Sequence, residues 1–233
     1  GASIVHWHGL HVPAEMDGHP QYVIPRGETF IYEFEVHNRA GTYWYHPHPH
    51  GSTGPQVYGG LAGLFLVSDN EEQAAGLPAG EYDIPLVIQD RAFNNSNQLI
   101  YLSHHMEQMN GFLGDWIMVN GKPDYTLPVA TRAYRLRLLN GSNARVYKLA
   151  WKDGSPLTVI GTDGGLLEKP VYRRFVMLGP GERVELWADF SKYPVGAETA
   201  LVSQSFDGGM LGRGMMGSGG VLPNGAGFTI FKV

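Results

Sequence analysis

The sequence predicts an all-β protein of tandem antiparallel sandwiches, the first of them incomplete. Its 32 glycines and 15 prolines make up about a fifth of 233 residues, against roughly 12% in ordinary soluble proteins, and so imply many turns. Between the turns lie short runs of period-two alternation, the pattern of half-buried strands. No long amphipathic helix interrupts them, and short strands punctuated by Gly and Pro favour sandwiches.

The strands follow in chain order. Phe30, Tyr32, Phe34 and Val36 fall on one face and Ile31, Glu33 and Glu35 on the other, which predicts a half-buried strand. Residues 61–68 and 83–89 form two more. Tyr134, Leu136 and Leu138 alternate with Arg135 and Arg137, and Val184, Leu186 and Ala188 alternate with Glu185 and Trp187. Residues 158–160 and 228–233 complete the set. Glu71, Glu72, Gln73, Gly76, Pro78 and Gly80 break the apolar pattern, so residues 71–80 are expected to be a linker. Residues 1–70 then supply about four strands, too few to cover their own sheet edges, whereas residues 81–233 suffice for a whole sandwich.

Composition narrows the function. Seventeen basic and 22 acidic side chains give a formal charge of −5 with no long run of one sign, which argues against a nucleic-acid partner. The longest strongly apolar stretch, residues 61–67, is far below the ~20 residues of a membrane-spanning helix. No basic region followed by a greasy core opens the chain, so no targeting segment is expected. The absence of cysteine excludes disulfides, a thiol nucleophile, an iron–sulfur site and a thiolate zinc site within this chain.

Histidine carries the chemistry. Eight of ten lie in the first 50 residues: His6, His8, His11, His19, His37, His46, His48 and His50; the others are His104 and His105. On a strand, His6 and His8 project from one face with Cα atoms about 6.5 Å apart, at ~3.3 Å per residue, so one strand can feed two adjacent metals. His46-Pro47-His48-Pro49-His50 repeats the device, and its prolines, unable to donate to a ladder, predict an edge or irregular strand. Four imidazoles in one sandwich without a metal would leave ring nitrogens unmet at roughly 1–3 kcal/mol each. Metal binding is therefore expected, and imidazole ligation suits copper, zinc, iron or nickel alike.

The stretch Ser3-Ile4-Val5-His6-Trp7-His8-Gly9-Leu10 with Asp17-Gly18, then Gly41-Thr42-Tyr43-Trp44-Tyr45-His46-Pro47-His48 with Gln56 and Gly60-Leu61-Ala62-Gly63-Leu64, resembles the first two copper motifs of the multicopper oxidases. Gly114-Asp115, Val119-Asn120-Gly121, the run from Leu136 to Arg145, Asp163-Gly164-Gly165-Leu166-Leu167 and Gly179-Pro180-Gly181-Glu182-Arg183 resemble that family's second cupredoxin domain. The resemblance covers nearly the whole chain and is nearest to the bacterial laccase and cuprous-oxidase group. It implies cupredoxin-like Greek-key sandwiches: the end of domain one in residues 1–70 and domain two in residues 81–233.

The resemblance also implies roles. His6 would hold the lone copper of a trinuclear cluster, His8 and His46 one copper of the coupled pair, and His48 the other; His50 has no ligand counterpart. Asp17 stands where the family places a carboxylate near the lone copper's water and is a candidate proton relay. Trp7 and Trp44 read as packing or shielding, His11, His19 and His37 as surface residues or supports of the ligands, and Glu15 as an exposed turn carboxylate.

The family's blue copper needs a Cys, and its other trinuclear ligands lie on a His-Pro-x-His-x-His segment; neither is in this sequence. The chain thus resembles the middle of a three-domain oxidase, with N-terminal strands and a third cupredoxin domain as missing partners, and is expected to be inactive alone. The implied reaction couples one-electron oxidation of phenols, aromatic amines or cuprous ion to reduction of dioxygen to water, in the periplasm or outside the cell. The alternative is a copper-free cupredoxin-repeat structural or interaction module. Met210, Met215 and Met216 offer soft thioethers to cuprous ion in a Gly-rich loop, and Met106 and Met109 beside His104 and His105 are a rival group.

Overall fold

The computed structural model describes residues 1–103, 105–209 and 222–233. Met210, Met215, Met216 and His104 lie outside the described residues. The chain forms two compact units: Gly1–Gly76 with Asp163–Leu166, and Leu77–Thr162 with Leu167–Val233. Among the described residues almost all regular structure is β, and the helices run to six residues at most. No helix among the described residues is long and apolar enough to cross a membrane.

The first unit holds one three-stranded antiparallel sheet, β1 (Val5–His8), β2 (Gly41–Pro47) and β3 (Gly63–Val67), with β2 central. Alternation puts Trp7, Tyr45 and Phe65 on one face, where the Trp7 ring lies 5.2–5.8 Å from those of Tyr32, Phe34, Tyr45 and Phe65. Such edge-on aromatic packing contributes beyond the area it buries.

The expected strand at residues 30–36 does not form. The segment is not assigned to any sheet, although Phe30, Tyr32 and Phe34 stay half-buried and Ile31 is 76% exposed. Period-two burial records which side chains pack, and here Tyr32 and Phe34 pack on Trp7 without a ladder beside them. The Tyr32 hydroxyl accepts the Val5 N–H at 2.8 Å, and burial raises its pKa.

Two short helices tie this unit. In α1 (Thr53–Tyr58), Gln56 donates to the Ala2 carbonyl and accepts from the Ser3 hydroxyl, fastening the run after the histidines to the start of β1. Asp69 caps α2 (Asn70–Ala74) by accepting from Glu72 N–H, and its second oxygen takes the Ala40 N–H. The stretch expected as a linker therefore opens with a capped helical turn.

The second unit is a sandwich of a seven-stranded and a four-stranded sheet. The larger contains β4 (Asp83–Arg91), β5 (Trp116–Val119), β6 (Lys122–Pro123), β7 (Ala133–Asn140), β9 (Leu157–Thr162), β10 (Gly165–Arg173) and β12 (Arg183–Asp189), in the order β10-β9-β12-β7-β4-β5-β6. The smaller has the order β11-β8-β13-β14, from β8 (Tyr147–Trp151), β11 (Val176–Leu178), β13 (Ala200–Ser203) and β14 (Phe228–Lys232). Leu86, Ile88, Leu136, Leu138, Leu149, Leu186 and Leu201 fill the space between them. One pair departs from the antiparallel expectation: β4 runs parallel to β7.

The polar side of β7 is buried too. Arg135 donates to Glu185 Oε2 at 2.8 and 2.6 Å, while Arg137 makes a bidentate pair with Asp83 at 2.7 and 2.8 Å and reaches Glu185 Oε1 at 3.2 Å. The alternation is as the sequence suggests, but its charged half is satisfied by mutual pairing rather than by water.

A further buried cation, outside that network, organises the loops. Arg145, fully buried, donates to Asp90 at 2.9 Å, to Gly114 O at 2.6 Å, to Leu222 O at 2.7 Å and to Pro223 O at 3.1 Å. Asp90 also takes the Gly114 N–H, and a Cβ on Gly114 would fall 2.4 Å from the Arg91 backbone. Beside this network burial raises the Tyr147 pKa, and its hydroxyl shares a hydrogen bond with Ser142.

Removing one member of such a buried pair strands the other charge, at a cost of about 3–5 kcal/mol. Arg145→Met should therefore lower unfolding stability by about that much in denaturant titration, and pairing it with Asp90→Asn should recover part of the loss. Additive losses in the double variant would refute the coupling.

Candidate metal centre

The centre is built by strand register. In the β1–β2 pair His6 stands opposite His46 and His8 opposite Trp44, so His6, His8, His46 and Trp44 share one face of the sheet, away from the Trp7 cluster. Pairing continues past β1, where His48 N–H donates to Ile4 O at 2.9 Å and carries His48 onto the same side. Pro47 ends β2 beyond its last partner in β3, Tyr45 opposite Gly63, so its missing N–H interrupts no ladder. The Pro-spaced run is thus the locally one-sided end of a central strand.

The imidazoles converge. The His6 ring lies 5.6 Å from His8, 5.3 Å from His46 and 5.4 Å from His48, while His8 and His46 are 5.5 Å apart and His46 and His48 6.2 Å apart. One nitrogen from each of His6, His8 and His46 falls within 4.8 Å of the others. His8 Nδ1 faces His46 Nε2 at 3.3 Å. Two nitrogens on one metal at about 2.0–2.1 Å stand roughly 2.9–4 Å apart for bond angles of about 90–150°. The observed spacing fits one shared ion.

Carbonyl acceptors set the tautomers. His46 Nδ1 is 2.9 Å from Pro47 O and His6 Nδ1 is 3.0 Å from Asp17 O, so each ring donates its Nδ1–H to backbone and keeps the Nε2 lone pair for a metal. Burial, the larger effect, and the neighbouring His6 and His48 rings lower the His46 pKa, which favours the neutral, ligating form. His48 Nδ1 is buried without a hydrogen-bond partner among the described residues, as suits a ring whose environment is completed by a metal.

Asp17 joins the centre. Its Oδ1 also lies 3.0 Å from His6 Nδ1 and is buried without a hydrogen bond among the described residues, the Nδ1–H being directed to the main-chain oxygen. Ala14–Met16, a single 3-10 turn, brings it there, followed by Gly18 with φ of +73°. A Cβ on Gly18 would sit 2.1 Å from Val5 O, so only glycine lets this turn press against β1.

His50, His11, His19, His37 and Glu15 are exposed and outside the cluster. Trp44 is buried at 6% exposure; its indole stacks on His8 at 4.9 Å and 28° and lies 4.4 Å from His46. Spacing alone pointed to the histidines. The two carbonyl acceptors, the Gly18 contact and the Trp44 stack belong to the folded backbone and left no motif of their own.

A multicopper oxidase family profile matches residues 2–72. The laccase of Bacillus stratosphericus is 39% identical over 210 residues, covering 82% of this chain and 41% of that protein. The cell division protein FtsP of Edwardsiella tarda is 41% identical over 186 residues, covering 79% of the chain and 39% of that protein. Among solved structures, a variant of the McoA multicopper oxidase from Aquifex aeolicus superimposes with a TM-score of 0.87 at 40% identity, covering 99% of this chain and 50% of that one. The chain therefore spans half or less of the length of these relatives. With its all-β architecture, its convergent imidazoles and these likenesses, the chain belongs to the multicopper oxidase family.

Proposed function

We propose that the chain supplies half of the trinuclear copper ligands of a laccase-like oxidase that couples one-electron oxidation of phenols, aromatic amines or cuprous ion to reduction of dioxygen to water. The convergence of His6, His8, His46 and His48, with His8 Nδ1 and His46 Nε2 3.3 Å apart, carries the reading. In it His8 and His46 share one copper of the coupled pair, His48 serves the other, and His6 serves the lone copper. Bound copper supplies the electron storage and the oxygen chemistry. The protein aims the His6 and His46 rings through the carbonyls of Asp17 and Pro47, and burial favours the neutral form of His46. In the metal-free protein the His8 Nδ1–H points to His46 Nε2, so binding there displaces a proton. In this reading Asp17, 3.0 Å from His6, passes protons toward the centre.

In this reading the blue copper's thiolate, which a sequence without cysteine cannot supply, belongs with the remaining trinuclear ligands and the electron entry to other parts of the oxidase. A location in the periplasm or outside the cell accompanies this reading. The relative named for cell division supports a second one, a copper-free structural module. Four imidazoles gathered with an orphaned buried nitrogen favour the oxidase.

Three outcomes follow from this reading. In the full-length oxidase His8→Ala should lower copper content by about one ion per chain and abolish oxygen consumption, while His50→Ala keeps both; equal copper in the two variants overturns the ligand set. The 233-residue chain alone, copper-loaded, should show neither thiolate-to-copper absorption nor turnover of a phenol, and turnover would refute its dependence on the missing domains. Acid should also weaken the metal-free fold through His46. Its folded pKa is lowered, so the unfolded chain takes up the proton first; stability from this group is present above about pH 6.5 and declines as pH falls toward the depressed value. A urea series should show that decline reduced in His46→Gln.

A further inference from the structure

We infer that Trp44 is the positioning residue of the metal centre: its indole plane holds the His8 ring with Nδ1 turned to His46 Nε2. The inference rests on the ligand reading above and adds to it a side chain that cannot itself ligate, since the indole N–H is a donor only. The shared sheet face has four corners, with His6 opposite His46 and His8 opposite Trp44. Three corners are imidazoles and the fourth is a wall.

Its geometry decides what the wall does. At 4.9 Å and 28° the indole lies nearly flat on His8, and at 4.4 Å and 38° it also backs His46. His46 and His6 are oriented through Nδ1–H bonds to carbonyls and so offer Nε2. His8 presents the opposite ring nitrogen, Nδ1, to the shared position. Turning that ring to offer Nε2 instead would swing its plane, and a flat partner lying on it opposes the swing by loss of stacking and by steric conflict.

Trp44 is itself held firmly. It is 6% exposed and pairs with His8 on one side and Leu64 of β3 on the other, in the central strand of the sheet. Its Nε1 is buried without a hydrogen-bond partner among the described residues. A buried donor left unmet carries a cost that a phenylalanine or leucine would not bear. Retaining an indole here thus has no explanation in hydrogen bonding, and its broad plane against two ligand rings is the property that the site uses.

Cuprous ion titrated into the 233-residue chain tests the assignment. Trp44→Leu and Trp44→Met, which keep apolar volume without a plane, should each weaken binding about tenfold, the scale of losses when support for a ligand is removed. Trp44→Phe, which keeps a smaller plane, should stay within about twofold of wild type, and thermal melts establish which variants are folded. Long-range nitrogen spectra of the cuprous-loaded wild type, independent of any variant, should show His8 bound through Nδ1. Binding of His8 through Nε2, or unchanged affinity in both Trp44→Leu and Trp44→Met, overturns the inference while leaving the ligand set standing. A His46→Ala chain that binds as tightly as wild type overturns the ligand set, and the inference with it.

Discussion

Everything at the candidate metal centre depends on the register of β1 against β2. Side chains alternate across a strand, so a slip of one residue would send His6 and His8 to the Trp7 side and bring Trp7 among the ligands. Two independent packings oppose that slip. On one face Trp7 is enclosed by Tyr32, Phe34, Tyr45 and Phe65; on the other, the imidazoles and Trp44 interlock. The aromatic cluster is thus as much a part of the candidate metal site as the histidines are, since it fixes which way they point.

The second unit solves a different problem with buried charge. Arg135 and Arg137 share Glu185 and Asp83 across three strands, and Arg145 gathers carbonyls from segments widely separated in sequence. Each guanidinium meets several fixed acceptors, and these bonds offset the cost of taking its charge out of water.

Much of this was legible from sequence, for identifiable reasons. Strands 83–91, 133–140 and 183–189 show period two because one side of each faces an apolar core. The His-x-His pairs were legible because the same period places both rings on one face. The segment at residues 30–36 misled, since alternation reports side-chain burial and is silent on whether a backbone partner exists. The parallel β4–β7 pair, the buried charged face and the 163–166 excursion arise from pairings distant in sequence, which no local pattern encodes. At the metal centre, donors were visible and supports were not: a carbonyl at Asp17 or Pro47 looks in sequence like any other.

The excursion at Asp163–Leu166 bears on how proteins of this kind can recombine. These four residues belong with the first unit: Leu166 N–H donates to Ala40 O, a Cβ on Gly41 would lie 2.8 Å from Gly165 Cα, and one on Gly165 would lie 2.5 Å from Ala40 O. The unit is therefore discontinuous in the gene, and a crossover at residue 76 would inherit only part of it. A replacement second unit would have to bring its own glycine-bearing turn of matching length. A crossover there would part Ala40 and Gly41 from the turn that their backbone packs on, so the first unit is exchanged whole only when residues 163–166 travel with it.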